Sequence, residues 1–141
     1  MKISYDPFRC SGCQACQMAC LDQRDCRPGR GERFLCRIEP VETETCLTFR
    51  WVDCTHCGMC AAACPGGSLF RDAYGLIQAR ETRCIGCGKC VEVCPRQVIT
   101  LDVETGRVKK CDLCLERVKA GLLPACVHTC PTGALKLEGA L

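Results

Sequence analysis

The sequence predicts a loop-rich α+β fold whose interior is organised by sulfur ligands instead of by a conventional apolar core. Three observations lead to this prediction. The 141-residue chain contains 19 cysteines, about 13% of its residues, above the roughly 8 to 10% that marks a fold dependent on sulfur chemistry. The cysteines recur in similar groups, and the segments between the groups have the pattern of short hairpins. A chain of this length forms one compact domain or two small ones that share a boundary.

Sixteen of the 19 cysteines fall into four groups of four, here called quartets. Quartets 1, 2 and 3 have the spacing C-x2-C-x2-C-x3-C, and proline follows the last cysteine of quartets 2 and 3. Quartet 4 is stretched, because eleven residues separate its second and third cysteines, and it too ends before a proline. In chain order the quartets are Cys10, Cys13, Cys16 and Cys20; Cys54, Cys57, Cys60 and Cys64; Cys84, Cys87, Cys90 and Cys94; and Cys111, Cys114, Cys126 and Cys130.

Short strands and helices are predicted between the cysteines. Residues 69–80 and 98–109 each place polar turn residues between two arms of alternating apolar residues, which is typical of a β-hairpin. A helical turn is predicted from Gly88 to Val93, and a short helix over residues 112–121. We therefore expect the regular elements to be short and to position the cysteine loops.

Residues 21–53 are an insertion between the first two quartets. Its beginning is rich in arginine and glycine and predicts a loop, and alternating segments near Phe34 to Val41 and Leu47 to Val52 predict a hairpin. We interpret residues 1–141 as a single domain with two halves. The halves are a central one, about residues 54–100, and an outer one, about residues 1–25 plus 105–141.

The quartet spacing indicates [4Fe-4S] clusters. Three thiolates at intervals of three residues can reach three irons of one cluster, and in two-cluster ferredoxins the fourth cysteine binds the other cluster. Structural zinc is the alternative, because four thiolates also suit a tetrahedral ion. Zinc usually takes two separate C-x2-C pairs, however, and a third nearby cysteine would crowd it. Disulfides fit poorly, because the cysteine number is odd and no secretory signal is visible.

The crossing rule of two-cluster ferredoxins assigns the sixteen cysteines to four clusters. In the central half it joins three cysteines of quartet 2 to the last of quartet 3, and the reverse. The outer quartets depart from the pattern by Leu21 in place of proline and by the long gap, and the same rule joins them to each other. The predicted ligand sets are Cys54, Cys57, Cys60 and Cys94; Cys84, Cys87, Cys90 and Cys64; Cys10, Cys13, Cys16 and Cys130; and Cys111, Cys114, Cys126 and Cys20.

Other residues beside the clusters receive modest roles. The three cysteines of the insertion are interpreted as free thiols, buried in a loop or against a partner, with a metal site completed by a partner as the alternative. Two histidines are expected near the clusters or facing solvent, not as ligands. Lys110 is expected first as a surface charge and second as a group that tunes a cluster potential. The cysteines are Cys26, Cys36 and Cys46, and the histidines are His56 and His128.

Charge and motifs argue against several classes of function. The formal net charge is +3. Each oxidised cluster with four thiolates carries −2, so four clusters bring the protein to about −5. That charge does not favour nucleic acid. The sequence has no Walker loop, dinucleotide fingerprint or nucleophile with a base, so no catalytic site is expected. No apolar stretch approaches about 18 residues, so we expect a cytoplasmic protein without membrane insertion.

The cysteine motifs resemble those of the four-cluster iron-sulfur electron-transfer subunits of the dimethyl-sulfoxide-reductase and formate-dehydrogenase type. Residues 109–135 (KKCDLCLERVKAGLLPACVHTCPTGAL) are similar to the last motif of that family, and residues 83–95 and 54–65 to its third and second motifs. The resemblance implies tandem bacterial-ferredoxin-like halves with two [4Fe-4S] clusters each, related by a pseudo-twofold axis. It also implies the crossed ligand pairing of the outer quartets.

The resemblance further implies a non-catalytic subunit of an oxidoreductase complex in anaerobic metabolism. The leading interpretation of its catalytic partner is a tungsten or molybdenum pterin oxidoreductase of the aldehyde or formate type. Carbon monoxide dehydrogenase and hydrogenase are alternative partners, and a free polyferredoxin carrier is an alternative function. Further electron-transfer subunits, or copies of the chain stacked into a wire, are additional candidate partners.

Overall fold

The computed structural model describes residues 1–139, in which short strands and helices support long loops. Within this range eight strands form four two-stranded antiparallel sheets, so the predicted α+β class is confirmed. The strands are β1 (Lys2–Tyr5), β2 (Arg37–Glu42), β3 (Leu47–Val52), β4 (Leu69–Arg71), β5 (Ile77–Ala79), β6 (Ile99–Leu101), β7 (Val108–Lys110) and β8 (Leu135–Glu138). The α-helices are α1 (Ala15–Arg24), α2 (Met59–Ala62), α3 (Lys89–Glu92), α4 (Leu115–Lys119) and α5 (Ala125–His128). None of the helices in the described range combines the length and the apolar character that a membrane span needs.

Two hairpins follow quartets 2 and 3, as the sequence predicts. Strand β4 pairs with β5, and β6 pairs with β7. An aspartate organises each turn: Asp72 Oδ1 accepts hydrogen bonds of 2.9 Å from the backbone N–H groups of Tyr74 and Leu76, and Asp102 Oδ1 plays the same part in the second hairpin. Both hairpins are therefore closed by contacts within a few residues of the chain.

The two ends of the described chain pair with each other. Strands β1 and β8 are antiparallel, with Lys2 opposite Glu138 and Tyr5 opposite Leu135. The sequence analysis did not predict this sheet, because two four-residue strands at opposite ends of the chain give no local sign of pairing. The pairing brings quartet 1, which follows β1, next to the end of quartet 4, which precedes β8.

The insertion is fixed to the central half by a buried carboxylate. It begins as the last turns of α1 and ends as the predicted hairpin of β2 and β3. Between them, the Glu32 side chain accepts hydrogen bonds from the backbone N–H groups of Arg27 (2.9 Å) and Val103 (3.0 Å), and lies 3.3 Å from Lys109 Nζ. Because Val103 and Lys109 belong to the β6–β7 hairpin, this carboxylate joins the two parts.

The interior combines apolar side chains with sulfur. An outer apolar cluster contains Cys16, Cys20, Cys36 and Cys126, and a central one contains Cys60 and Cys90. The residue five positions after the last cysteine of quartets 2, 3 and 4 is always a buried aliphatic residue that begins a strand. These residues are Leu69, Ile99 and Leu135, which are 4%, 1% and 3% exposed.

Candidate metal centres

The first three quartets share one backbone conformation. In each, the residue before the second cysteine and the residue after it have positive φ, so the chain reverses twice around that cysteine. Glycine adopts such angles without strain, and at Gly86 an added Cβ would also lie only 2.9 Å from the Gly106 carbonyl oxygen. Quartet 4 shows the same feature one residue earlier, at Leu113 and Cys114. The residues of quartets 1 to 3 are Gly12 and Gln14, His56 and Gly58, and Gly86 and Gly88.

The loops gather the quartet thiols into four sites, each with three cysteines of one quartet and one of another. Site 1 surrounds a cavity of about 300 Å³, and sites 2 and 3 surround cavities of about 330 Å³ each. Site 4 is defined by the thiols nearest to Cys90. The structure thus brings together the thiols of each predicted set. Site 1 contains Cys10, Cys13, Cys16 and Cys130; site 2, Cys20, Cys111, Cys114 and Cys126; site 3, Cys54, Cys57, Cys60 and Cys94; site 4, Cys64, Cys84, Cys87 and Cys90.

Backbone N–H groups point at several of the thiols. Gly12 N lies 3.4 Å from Cys10 Sγ, and Ser68 N lies 3.3 Å from Cys64 Sγ. Burial alone would raise the pKa of Cys64 and Cys130, but hydrogen bonds from the loops that follow Pro65 and Pro131 outweigh it and lower the pKa of both thiols. These loops therefore stabilise thiolate, the form of cysteine that binds metal.

Other thiols are crowded together in the interior. Burial raises the pKa of Cys16 to about 11, and repulsion from Cys130 and Cys10 of the same site contributes. Burial likewise raises the pKa of Cys90 to about 11, with repulsion from Cys60 and from the other thiols of site 4. Thiolates packed so closely need a positive charge among them, and an iron-sulfur core carries one.

The space between the thiols suits clusters better than single ions. A zinc ion holds thiolates at about 2.3 Å. Within residues 1–139, no three Cys, His, Asp or Glu side chains converge closely enough to share one ion. The thiols instead line the walls of the cavities. Trp51 also lines the cavity of site 2, and its buried Nε1–H has no well-oriented hydrogen-bond partner in the described range. A sulfide or thiolate is an acceptor of the kind that such a buried donor requires.

A buried cation lies between sites 2 and 3. Lys110 is 0% exposed, and its ammonium donates hydrogen bonds to the carbonyl oxygens of Ile77 and Cys111. The expectation of a surface charge is therefore wrong. Alternation along β7 explains the difference, because Val108 and Lys110 both face inward. The ammonium lowers the pKa of thiols in both sites, against the larger opposing effect of their burial.

The four sites form a series in the order 1, 2, 3, 4. Sites 1 and 2 meet in the outer apolar cluster, through Cys16 and Cys126. Sites 2 and 3 share the Lys110 ammonium. Sites 3 and 4 meet in the central apolar cluster, through Cys60 and Cys90.

Site 2 contains a thiol that the sequence analysis left out. Cys36 is 4% exposed and lines the same cavity as the four predicted ligands. A hydrogen bond between Cys36 and Cys20 lowers the pKa of Cys20 and raises that of Cys36. Of the other two cysteines of the insertion, Cys26 is buried and Cys46 is exposed. The spacing of these three cysteines gave no reason to single out Cys36.

The two histidines differ in their surroundings. His56 is buried, its Nδ1 accepts a hydrogen bond of 2.9 Å from the Ile77 N–H, and its Nε2 has no partner in the part of the chain described. Burial and the Lys110 charge lower the pKa of His56 to about 4, so its imidazole is neutral near pH 7. His128, at the end of α5, is exposed.

Comparison with known proteins gives consistent matches. A family model described as a 4Fe-4S dicluster domain matches residues 45–139, and a 4Fe-4S binding domain matches residues 7–23. The thiosulfate reductase electron transfer subunit PhsB of Salmonella typhi is 41% identical over 94% of this chain and 72% of its own length. The formate dehydrogenase-O iron-sulfur subunit of Escherichia coli (strain K12) is 37% identical over 92% of this chain and 50% of its own length. A subunit of the anaerobic dimethyl sulfoxide reductase of Haemophilus influenzae is 32% identical over 93% and 70%. The chain thus spans about half the length of the formate dehydrogenase subunit.

Proposed function

The chain belongs to the 4Fe-4S dicluster family, with the iron-sulfur subunits of thiosulfate reductase, formate dehydrogenase and dimethyl sulfoxide reductase among its relatives, and we propose that it relays single electrons to or from a catalytic partner. Its cofactors are [4Fe-4S] clusters, and a bound cluster supplies a one-electron couple. The side chains of the chain do not react in this proposal. They hold the clusters and set the charge and hydrogen bonding around them.

Sixteen cysteines hold four clusters in this proposal, one cluster in each of sites 1 to 4. The assignment is supported by the sulfur-lined cavities, by the N–H groups that favour thiolate, and by the crossing rule. It divides the chain into two ferredoxin-like halves, with sites 3 and 4 in the central half and sites 1 and 2 in the outer half. We propose that a pseudo-twofold axis relates the two halves.

The observation that carries the proposed function is the unbroken series of sites. Each site shares an apolar cluster or a buried cation with the next, so a path for electrons leads through the protein from site 1 to site 4. Both ends of the series reach the surface, because Cys13 of site 1 and Cys87 of site 4 are exposed. Cys57 of site 3 is exposed as well.

The proposed catalytic partner is a molybdenum or tungsten pterin oxidoreductase, of the formate or aldehyde type. Sequence identity to subunits named for formate dehydrogenase, thiosulfate reductase and dimethyl sulfoxide reductase supports an oxidoreductase partner of this general kind. We place the protein in the cytoplasm of an organism with anaerobic metabolism, because a reducing compartment keeps ligand thiols from forming disulfides.

Anaerobic purification of the natural complex tests this function. Iron, zinc and sulfide are measured on the purified chain, and the subunits that copurify are identified by mass spectrometry. Four cubane clusters predict about sixteen irons and sixteen sulfides per chain, together with a pterin-containing subunit that carries molybdenum or tungsten.

Other outcomes of this experiment would select other functions. A monomer of the full iron content with no partner would replace the subunit by a free carrier. Copurification of a nickel enzyme would point to carbon monoxide dehydrogenase or hydrogenase. A mass that grows with concentration would indicate stacked copies, and zinc with little sulfide would overturn electron transfer altogether.

A further inference from the structure

Site 2 holds five thiols, although a [4Fe-4S] cluster takes only four cysteine ligands. The four predicted ligands and Cys36 line one cavity. We propose that Cys36 is not a ligand but a hydrogen-bond donor to the Cys20 sulfur, and that it raises the reduction potential of the cluster in site 2. This inference rests on the proposed function, because it takes Cys20 as a ligand of that cluster.

The insertion hairpin is attached to helix α1 in a way that sets the position of Cys36. The backbone N–H of Ile38, on β2, donates a hydrogen bond of 3.2 Å to Gln17 Oε1, and Gln17 is buried on α1. The Cys36 thiol lies 3.9 Å from the Cys16 carbonyl oxygen of the same helix. Because Cys20 is one turn further along α1, these contacts hold the Cys36 sulfur beside the Cys20 sulfur.

The charges around the two sulfurs differ. Cys20 is close to Arg24, whose guanidinium favours negative charge on sulfur and is itself held by Asp112 at 2.8 Å. Cys36 faces the sulfurs of Cys20, Cys126 and Cys111. The metal-bound thiolate is therefore better placed at Cys20, and the proton of the pair at Cys36.

An S–H bond directed at a ligand sulfur has a defined effect on a cluster. The reduced cluster carries one more negative charge than the oxidised one, and a hydrogen bond to a ligand sulfur stabilises the more negative state. Cys36 therefore favours reduction at site 2 relative to the same site without the donor.

Redox titration of the complete chain, followed by electron paramagnetic resonance, tests the inference. The variants are Cys36→Ala, which removes the donor, Cys36→Ser, which keeps a hydroxyl donor, and Cys26→Ala as the matched control. Cys26 is a buried thiol of the same insertion, 8% exposed, and does not line the cavity of site 2. Iron and sulfide are counted on every sample.

The expected result is an unchanged iron count in all variants, with one midpoint potential moved to a lower value in Cys36→Ala. Cys36→Ser moves it less, and Cys26→Ala leaves all potentials as in the wild type. Loss of about four irons in both Cys36 variants would show that Cys36 is a ligand, and unchanged potentials in Cys36→Ala would show that the hydrogen bond has no effect. Either result would overturn the inference while the wild type still held four clusters. A wild-type chain with fewer clusters would instead contradict the proposed function.

Discussion

The central and outer halves use the same cysteine spacing but complete their sites in different ways. Sites 3 and 4 lie within residues 54–94, and each of their quartets is followed by a hairpin closed by local contacts. Sites 1 and 2 draw on residues from 10 to 130 and depend on the pairing of β1 with β8 and on the packing of α1 against α5. The difference teaches that the spacing specifies the loop around a cluster, whereas distant parts of the chain decide how a site is completed.

The largest expected effect comes from the last cysteine of a quartet in each half. Cys94→Ser and Cys130→Ser remove equivalent residues, and each variant is expected to lose one cluster, about four irons, because serine is a poor substitute for a thiolate ligand. Iron and sulfide analysis measures the loss. Double variants then test the crossing. Adding Cys57→Ser to Cys94→Ser should remove no further cluster, since both residues belong to site 3, whereas adding Cys87→Ser should remove a second one. The reverse pattern would show that quartet 3 binds a cluster by itself.

The next effect concerns the boundary between the halves, where Lys110 lies. Replacing it with Met removes the buried cation shared by sites 2 and 3, so both clusters should become harder to reduce and their midpoint potentials should fall. We also expect a cost of about 3 kcal/mol in stability, because charges buried opposite this cation lose their partner. The control is Lys89→Met, an equal change of charge at an exposed position beside Cys90. Equal shifts in the two variants would mean that burial of the cation between the sites is unimportant.

A smaller effect separates local from long-range closure. Leu69 and Leu135 occupy the same position after their quartets and are equally buried. Truncating either to Ala should cost about 3 kcal/mol, because each leaves a cavity in an apolar cluster. Only Leu135→Ala should also speed amide hydrogen exchange in β1, since Leu135 pairs with Tyr5. Denaturation followed by cluster absorbance, and exchange followed by mass spectrometry, measure the two quantities. Fast exchange of β1 in Leu69→Ala would contradict the separation of the halves.

The smallest effect tests the backbone that the halves share. The residue three positions after the last cysteine has positive φ in quartets 2, 3 and 4, as Gly67, Gln97 and Gly133. Gln97→Gly should stabilise the protein by up to about 1 kcal/mol, because glycine adopts this conformation without strain. Gly67→Gln should destabilise it by a similar amount through strain alone, since the space around Gly67 is open. The same denaturation experiment compares the two, and effects of equal sign would show that the repeated conformation does not control stability here.

The sequence was most informative where structure is local. The hairpins after quartets 2 and 3 and the hairpin of the insertion were predicted, because alternation and turn residues act over a few positions. The sheet of β1 and β8 was missed because it joins the two ends of the chain. The burial of Lys110 was missed because only the inward face of a three-residue strand reveals it. The position of Cys36 in site 2 depends on how the insertion packs against α1, for which the sequence has no motif.

The contact between the first and last strands has a consequence during synthesis. All cysteines of sites 3 and 4 have been made once Cys94 is added, but site 1 lacks its proposed fourth ligand until Cys130 and then β8 follow. Translation at about 5 to 20 residues per second makes that delay roughly two to seven seconds. The thiols that leave the ribosome first are thus among the last to be enclosed, and for that interval they are open to the machinery that delivers iron and sulfide, or to oxidants.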